Sequence, residues 1–496
     1  MPHRSLLLAA LVLLALPIWQ AAPAQAGPAP EPAAPSAGFA YFPQTGHNIG
    51  AKIKRFYDAN GGLDIFGLPL TEVFTEDGMQ VQYFERARFE LHPELPPEFH
   101  VSLTLLGSYF TQGRSEPAFQ WLAASPGGDR HFFPESGHTL GGVFRTFWQQ
   151  RGGLPVFGYP ISEEFTEVNP LDGQPYLVQY FQRARFELHP EHAGTPYEVQ
   201  LGQLGRQLLN ERPAAQAASV PAPPITLLGK ATTGFATSIA ERRRNIATAT
   251  AMFDGLVVPP GQEHSFLSVG DFSEQAGFVE GYAIVGGKLE KVIGGGLCQV
   301  STTLFRAVSN AGLEITRRYG HTYVVYFYEN ILGFDATVFS PNVDFRWRND
   351  TPGPIYIVTS TNPEAATVTF ELWGTNDGRT TSYAGPFVKN MVKPSVATWQ
   401  YDATLPRGTV RQLVHGRPGM DVNYIRTVKM PDGSIKHYND FYTHYQPWND
   451  FFIYGPGVTP PAGVQVIDPR VDYSRPPQPQ RPGRVYDDVA GYQGSR

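Results

Sequence analysis

The feature that most constrains this chain is a fourteen-residue string that occurs twice. Val81 to Glu94 returns as Val178 to Glu191 with a single change. Three shorter strings return in the same order: 42–47 as 133–138, 60–63 as 151–154, and 66–69 as 157–160. A match of this length within one chain indicates duplication, so we predict two similar units in tandem.

Each copy has a helical pattern followed by a strand pattern. In the second copy, apolar residues recur at helical spacing and stop at glycines; these are Leu140, Phe144, Phe147 and Trp148, before Gly152 and Gly153. From residue 178 to 189, apolar and polar residues then alternate. We therefore predict a short helix, a turn and one two-sided strand per copy. The polar face either binds glycan or is solvated, with cross-strand Arg/Glu pairs.

Length and composition set the broad class of the protein. The chain has 496 residues, which favours two to four domains, and its hydrophobic content of 42% excludes a wholly disordered chain. The formal net charge is -6 and no long basic run occurs, which argues against nucleic-acid binding.

The N-terminus has the pattern of a secretory signal peptide over residues 1–26. Arg4 supplies the positive region, residues 6–16 the apolar region, and Ala24-Gln25-Ala26 a small-residue cleavage site. The apolar run is short for a membrane span, although an uncleaved anchor is the alternative. We predict a secreted or envelope-associated protein with no transmembrane segment beyond the signal peptide.

We predict a multidomain α+β protein with two repeats, a central mixed domain and a C-terminal β-ribbon. A helix in the central domain is expected to begin with a capping box, Ser238 to Glu241, and a hairpin turn is expected at Pro431 to Ser434. The expected divisions are a linker at 27–37, repeats at 38–125 and 126–212, a linker at 213–227, the central domain at 228–377, the ribbon at 383–458 and a disordered tail at 459–496.

The segment best suited to chemistry surrounds Cys298, the single cysteine of the chain. Three glycines, Gly294, Gly295 and Gly296, precede it, and apolar residues then recur at helical spacing as far as Ala311. This pattern puts the cysteine at a helix N-terminus, where the helix dipole favours the thiolate, which is the reactive form. Backbone N–H groups of Cys298 and Gln299 could stabilise an oxyanion.

His321 and Asp335 follow Cys298 in an order compatible with a thiol triad. In this hypothesis Cys298 is the nucleophile, His321 the general base and Asp335, at the entry to a strand, its orienting group. The alternatives are a small packing cysteine, a structural histidine and a turn-capping aspartate. No His-Glu-x-x-His or paired cysteines occur, so we predict neither a metal site nor a cofactor.

Residues 228–375 resemble the VanW family. The resemblance rests on the run from Gly294 to Leu304, on Gly312-Leu313-Glu314, on His321 and on Asp335 to Val338. The departures are Leu297, where isoleucine is usual, and Gly320, where a proline often precedes the histidine. The family is associated with glycopeptide-resistance clusters and the bacterial envelope, and it implies no settled reaction.

Two further resemblances concern the flanking regions. Residues 40–225 look like LGFP-type repeats of wall-associated proteins, although the strand ends in Phe-Glu-Leu-His-Pro rather than the usual pattern. Residues 383–458 are similar to five-glycine β-ribbon modules, through Gly408, Gly416, Gly419 and Gly455. These resemblances imply attachment to peptidoglycan or another wall glycan. Two functions therefore remain open, a binding protein of the cell wall and a thiol-dependent amidase or acyl transferase.

Overall fold

The computed structural model describes residues 38–96, 99–285, 288–328 and 330–467. The predicted signal peptide and first linker lie outside these residues. Helices and several small sheets alternate along the chain, which confirms the predicted multidomain α+β class.

The two copies of the duplicated sequence fold alike. Each has a β-hairpin, two short helices, a four-stranded antiparallel sheet and a closing helix. The first comprises β1 (Phe39–Phe42), β2 (His47–Gly50), α1 (Ala51–Ala59), α2 (Gly62–Phe66), β3 (Phe74–Glu76), β4 (Met79–Tyr83), β5 (Arg88–Leu91), β6 (Val101–Leu103) and α3 (Leu106–Phe110). The second comprises β7 (His131–Phe133), β8 (His138–Leu140), α4 (Gly142–Gln150), α5 (Gly153–Phe157), β9 (Phe165–Val168), β10 (Pro175–Tyr180), β11 (Arg185–Leu188), β12 (Val199–Leu201) and α6 (Leu204–Glu211).

The repeated string forms a hairpin, not the single strand that we predicted. In the second copy, the chain turns between Tyr180 and Arg185, and β10 pairs with β11. The polar face is buried, so the expectation of a solvated face is also wrong. Gln179 is fully buried and donates to two backbone carbonyls, while Arg185 donates to Glu187. The Arg/Glu pairing was expected, but it lies inside the fold.

The two repeats exchange their closing helices. Helix α3, which follows the first sheet, packs on the hairpin of the second repeat, where the Ser108 N–H donates to the Gln182 carbonyl at 3.1 Å. Helix α6 packs in the same way on the first hairpin, where the Arg206 N–H donates to the Glu85 carbonyl at 3.0 Å. A Cβ built on Gly107 of α3 would lie 1.8 Å from the Phe181 carbonyl oxygen, so only glycine permits this approach.

The central region, in its described residues, contains three helices, two larger sheets and a two-stranded hairpin. Its elements are α7 (Pro213–Ala218), β13 (Thr226–Gly234), α8 (Ala240–Phe253), β14 (Val257–Val258), β15 (Glu263–Ser265), β16 (Glu280–Val285), β17 (Lys288–Ile293), α9 (Leu297–Asn310), β18 (Glu314–Arg317), β19 (Arg346–Arg348), β20 (Ile355–Asn362) and β21 (Thr367–Gly374). The sheets have the orders β13-β21-β20-β14 and β15-β19-β18, and β16 pairs with β17.

Two local predictions for this region are wrong. The expected linker at 213–227 begins with the helix α7, whose Ala215 is fully buried. Helix α8 begins without a side-chain cap, because Ile239 and not Ser238 occupies the N-cap position; the Ser238 hydroxyl instead accepts a hydrogen bond from Arg242.

The C-terminal region consists of strands alone among its described residues. These are β22 (Thr380–Val392), β23 (Thr398–Tyr401), β24 (Val410–Val414), β25 (Gly419–Lys429), β26 (Ile435–Tyr445), β27 (Phe451–Tyr454) and β28 (Gln465–Ile467). The predicted hairpin is confirmed, since β25 pairs with β26 across Pro431 to Ser434. Residues 465–467, which we expected in a disordered tail, instead pair with β23.

The sheet β22-β25-β26 packs against the central region. Tyr424 and Phe441 belong to the same buried cluster as Leu304 and Phe305 of α9. The buried Arg426 donates to the Leu313 carbonyl at 2.8 Å, just beyond the end of α9. This arrangement brings β26 next to the segment that contains Asp335.

Candidate active site

A glycine loop sets the start of helix α9. Gly296 is the N-cap residue at φ 118°, a left-handed conformation that favours glycine. A Cβ at this position would lie 2.9 Å from the Ile246 side chain of α8. The buried amide of Asn245 donates to the Gly295 carbonyl at 3.1 Å. Helix α8 therefore fixes the loop, and Cys298 occupies the first turn of α9 as predicted.

The thiol of Cys298 lies against the segment that follows Asp335. Its Sγ is 3.4 Å from both the Thr337 hydroxyl and the Val338 carbonyl oxygen, and the residue is half-buried. This segment is held along α9 by Thr302, whose hydroxyl bonds the N–H and the carbonyl of Ala336, each at 3.1 Å. The segment is irregular, so the prediction that Asp335 enters a strand is wrong.

The structure brings Cys298, His321 and Asp335 together. The Cys298 thiol and the His321 imidazole lie close enough for each to shift the pKa of the other. His321 Nδ1 bonds Asp335 Oδ2, which leaves Nε2 of the imidazole for the sulfur. The backbone N–H of His321 also donates to Asp335 Oδ2, at 3.1 Å. Asp335 is buried, whereas the imidazole remains slightly exposed.

The electrostatics favour a thiolate–imidazolium pair. Burial alone would raise the pKa of the Cys298 thiol, but the neighbouring His321 imidazole outweighs this effect and lowers the pKa to about 7. Burial likewise opposes the charged imidazole, yet the carboxylate of Asp335 raises the pKa of His321 to about 9. The pKa of Asp335 falls well below its usual range despite burial, chiefly through the His321 charge. Between about pH 7 and pH 9, the favoured state therefore has an anionic sulfur beside a cationic ring.

Gln299 does not serve as the expected oxyanion donor in this arrangement. Its backbone N–H donates to the Gly296 carbonyl at 3.0 Å. Its side chain is buried and donates to the Gly234 carbonyl at 2.7 Å, which ties α9 to β13. Among the described residues, the N–H of Cys298 has no backbone acceptor. Of the two predicted oxyanion donors, only the N–H of Cys298 is therefore left to bind a substrate oxygen.

Two residues that sequence reasoning missed hold the other oxygen of Asp335. Arg318 Nη2 donates to Oδ1 at 3.2 Å, and the Tyr445 hydroxyl donates to it at 2.9 Å. Arg318 Nε also donates to the Asp335 carbonyl at 2.6 Å. The available signal was the alternation of β26, where Phe441, Thr443 and Tyr445 are buried and the residues between them are exposed.

Within the described residues, no group of three or more His, Cys, Asp or Glu side chains is placed to hold a metal ion. No helix in the described ranges has the length and apolar character needed to cross a membrane.

Comparison with known proteins identifies the central region. Residues 241–373 match the family model described as VanW like protein. Over 131 residues the chain is 41% identical to the uncharacterized protein YoaR of Bacillus subtilis, covering 26% of this chain and 43% of that protein. Over 111 residues it is 33% identical to the vancomycin B-type resistance protein VanW of Enterococcus faecalis, covering 22% and 40%. The chain therefore has a VanW-like domain, and it spans about two fifths of each curated relative.

A solved structure, the crystal structure of HP0197-G5, matches 16% of this chain and 97% of its own chain at 26% identity. Its TM-score is 0.09, a value on which we base no argument.

Proposed function

We propose that this protein is a cysteine-dependent enzyme that cleaves or transfers acyl groups at amide bonds of peptidoglycan stem peptides. The observation that carries the proposal is the grouping of Cys298, His321 and Asp335. Asp335 bonds Nδ1 of the ring, and the thiol lies close enough to the imidazole for each to shift the pKa of the other. A nucleophile, a base and a group that orients the base are the parts that thiol acyl chemistry requires.

The reaction follows from the favoured protonation states. The Cys298 thiolate attacks the amide carbonyl carbon, and the C–S bond forms as the carbonyl oxygen becomes negative. The His321 imidazolium gives its proton to the leaving nitrogen, the C–N bond breaks, and a thioester remains on the sulfur. Water or a second amine then attacks the thioester and loses a proton to His321, which regenerates the thiolate and gives hydrolysis or transfer.

The helix start supplies part of the stabilisation for the developing negative charge. The N–H of Cys298 lies in the first turn of α9, where backbone donors and the helix dipole favour an anion. Losing one such donor typically costs enzymes of this kind about 100-fold or more in rate. In contrast to our expectation from the sequence, Gln299 contributes by fixing the helix to β13.

Two features support a substrate in the cell envelope. One curated relative of the VanW-like domain is named for vancomycin resistance. The duplicated, aromatic-rich N-terminal region is similar in sequence to repeats of wall-associated proteins, which would bring the site close to peptidoglycan. Secretion through residues 1–26 remains part of this proposal.

The decisive experiment incubates the full chain with soluble muropeptides that carry complete stem peptides and follows the products by mass spectrometry. We expect cleaved peptides in water and new amide products when an amine acceptor is added. Cys298→Ala should abolish both, and brief acid quenching of the wild type should trap an acyl group on Cys298. Products that form equally with Cys298→Ala would refute the proposal.

A second function, retention on the cell wall, is favoured by a recess of about 130 Å³ in the second repeat. Its lining combines rings and polar groups suited to a glycan, namely His131, Phe133, Leu140, Arg145, Trp148 and Gln149. In the first repeat, the matching hairpin β1-β2 lies against the central region, where its residue Phe39 is buried against Tyr356 and Trp373. Because this hairpin is covered in the first repeat, we expect the second repeat to bind the glycan.

Sedimentation of the full chain with isolated cell wall tests this second function. Arg145→Ala should reduce the bound fraction, whereas Lys54→Ala, the corresponding change in the first repeat, should not. Equal binding by both variants, or no binding by the wild type at moderate salt, would exclude the recess as the wall-binding site.

A further inference from the structure

Strand β26 of the C-terminal region faces the candidate active site with every second residue. Phe441, Thr443 and Tyr445 are buried, while Tyr442 and His444 between them are exposed. Such alternation is the period of a strand with one face packed and one face in water. The buried face meets the segments that contain Arg318 and Asp335.

The Tyr445 hydroxyl is fully engaged at this contact. It donates to Asp335 Oδ1 at 2.9 Å and accepts the Gly333 N–H at 3.0 Å. The ring is buried at 3% exposure, so water does not compete for either bond. Both partners lie in the loop that holds Asp335, and the hydroxyl therefore bridges the loop backbone and the carboxylate.

A second residue of β26 acts on the same carboxylate through Arg318. The Thr443 hydroxyl accepts from Arg318 Nη2 at 3.0 Å, and the same nitrogen donates to Asp335 Oδ1 at 3.2 Å. Arg318 also donates to the Gly333 carbonyl at 2.8 Å. Two donors, the Tyr445 hydroxyl and Arg318 Nη2, thus hold Asp335 Oδ1 in place. The first belongs to β26, and the second is bonded to Thr443 of β26.

Holding Oδ1 fixes the direction of Oδ2. A carboxylate can rotate about its Cβ–Cγ bond, and only one orientation directs Oδ2 at the ring and at the backbone N–H of His321. The orientation of the ring in turn determines whether its other nitrogen meets the sulfur. A buried polar network of this kind rigidifies a site when each member has its partner.

We infer that Tyr445 is a positioning residue of the thiol site, and that the C-terminal ribbon completes this site. The inference rests on the proposed function, because it concerns the same Cys298, His321 and Asp335. It gives the ribbon a role that attachment to a wall does not require. The residue touches no substrate and acts through Asp335 and His321.

The test compares Tyr445→Phe with Tyr442→Phe in the full chain. Both changes remove one hydroxyl from β26 that donates to a carboxylate, Asp335 in the first case and the ribbon residue Asp421 in the second. The first readout is the rate of Cys298 alkylation by iodoacetamide against pH, which needs no substrate. The second is kcat and KM for muropeptide cleavage.

For Tyr445→Phe, we expect the alkylation midpoint to rise by about half a pH unit or more, because a freed carboxylate supports the imidazolium less well. We also expect kcat to fall about tenfold at unchanged KM, since a bond to a charged group is lost. Tyr442→Phe should match the wild type in both readouts. Thermal unfolding of both variants shows that the comparison is made on folded protein.

Two results would overturn the inference. One is a Tyr445→Phe midpoint equal to or below that of the wild type; the other is an equal shift with Tyr442→Phe. These results differ from failure of the proposed function, which appears as cleavage that survives Cys298→Ala. A low wild-type midpoint that Tyr445→Phe leaves unchanged would reject the role of Tyr445 and leave the thiol site intact.

Discussion

Replacing His321 with glutamine should change the reactivity of Cys298 in opposite directions at neutral and alkaline pH. The imidazole is the main group that lowers the pKa of the thiol, to about 7 from an ordinary value of 9.0. Glutamine approximates the volume of histidine but carries no charge, so the pKa of the thiol should return to about 9. The site would then hold a neutral thiol at pH 7.

The magnitude follows from the two pKa values. At pH 7 the thiolate fraction falls from about one half to about one hundredth, a loss of about 50-fold. A thiolate of higher pKa is also a better nucleophile, by about six- to tenfold over two pH units. The alkylation rate at pH 7 should therefore fall about five- to eightfold. At pH 10, where both thiols are ionised, the variant should react about six- to tenfold faster than the wild type.

The assay is iodoacetamide alkylation of the single cysteine, followed by intact-mass spectrometry from pH 5 to pH 10.5. His444→Gln is the matched control, because it removes an exposed histidine that pairs with Asp421 in the ribbon. It should reproduce the wild-type midpoint near pH 7. A wild-type midpoint above pH 8.5, or a variant slower than the wild type at every pH, would refute the ion-pair account of this site.

Three further predictions concern stability. Gly107→Ala should destabilise the exchanged repeats by about 1–3 kcal/mol in urea unfolding, because its Cβ would overlap a backbone carbonyl. Gly38→Ala is the control and should be neutral, because a Cβ at Gly38 would meet no atom within 4 Å. Asp350→Asn should cost about 2 kcal/mol in urea unfolding, since this carboxylate bonds the buried Arg379. The pKa of Asp335 is lower in the folded protein than in the unfolded chain, so its carboxylate stabilises the fold above the ordinary carboxyl pKa. This stability is lost as the pH falls below about 4. The Tm of Asp335→Asn should therefore drop less between pH 6 and pH 3 than the Tm of the wild type.

The positions of the thiol and its two partners could be predicted because local signals mark them. Three glycines followed by a helical period located Cys298 at the start of α9, where the structure has it. His321 and Asp335 followed from the types of residue that a thiol requires. The role of Gln299 could not be predicted, because the spacing of apolar residues does not show which N–H groups of the first helical turn already bond a nearby carbonyl. The N–H of Gln299 bonds the Gly296 carbonyl in this way.

Most of the structural features that could not be predicted depend on contacts between elements that lie far apart in the sequence. The alternation of β26 predicts a strand with one buried face, but nothing within it indicates which surface covers that face. Tyr445 lies 110 residues after Asp335, and only the packing of the ribbon joins them. The same limit applies to the repeats, where the sequence indicates duplication but not the exchange of α3 and α6.

The buried charges of the site are difficult to explain by stability alone. Removing a carboxylate, a guanidinium and an imidazolium from water is costly, and apolar residues of similar size often stabilise a fold equally well. Asp335 nevertheless receives donors from Arg318 and His321, which lie three residues apart, and from Tyr445 of the distant strand β26. The network directs this charge at one atom of one ring, and that ring contacts the single cysteine of the protein. The arrangement is costly as a core and well suited to a nucleophile, which favours chemistry at Cys298 over a packing role.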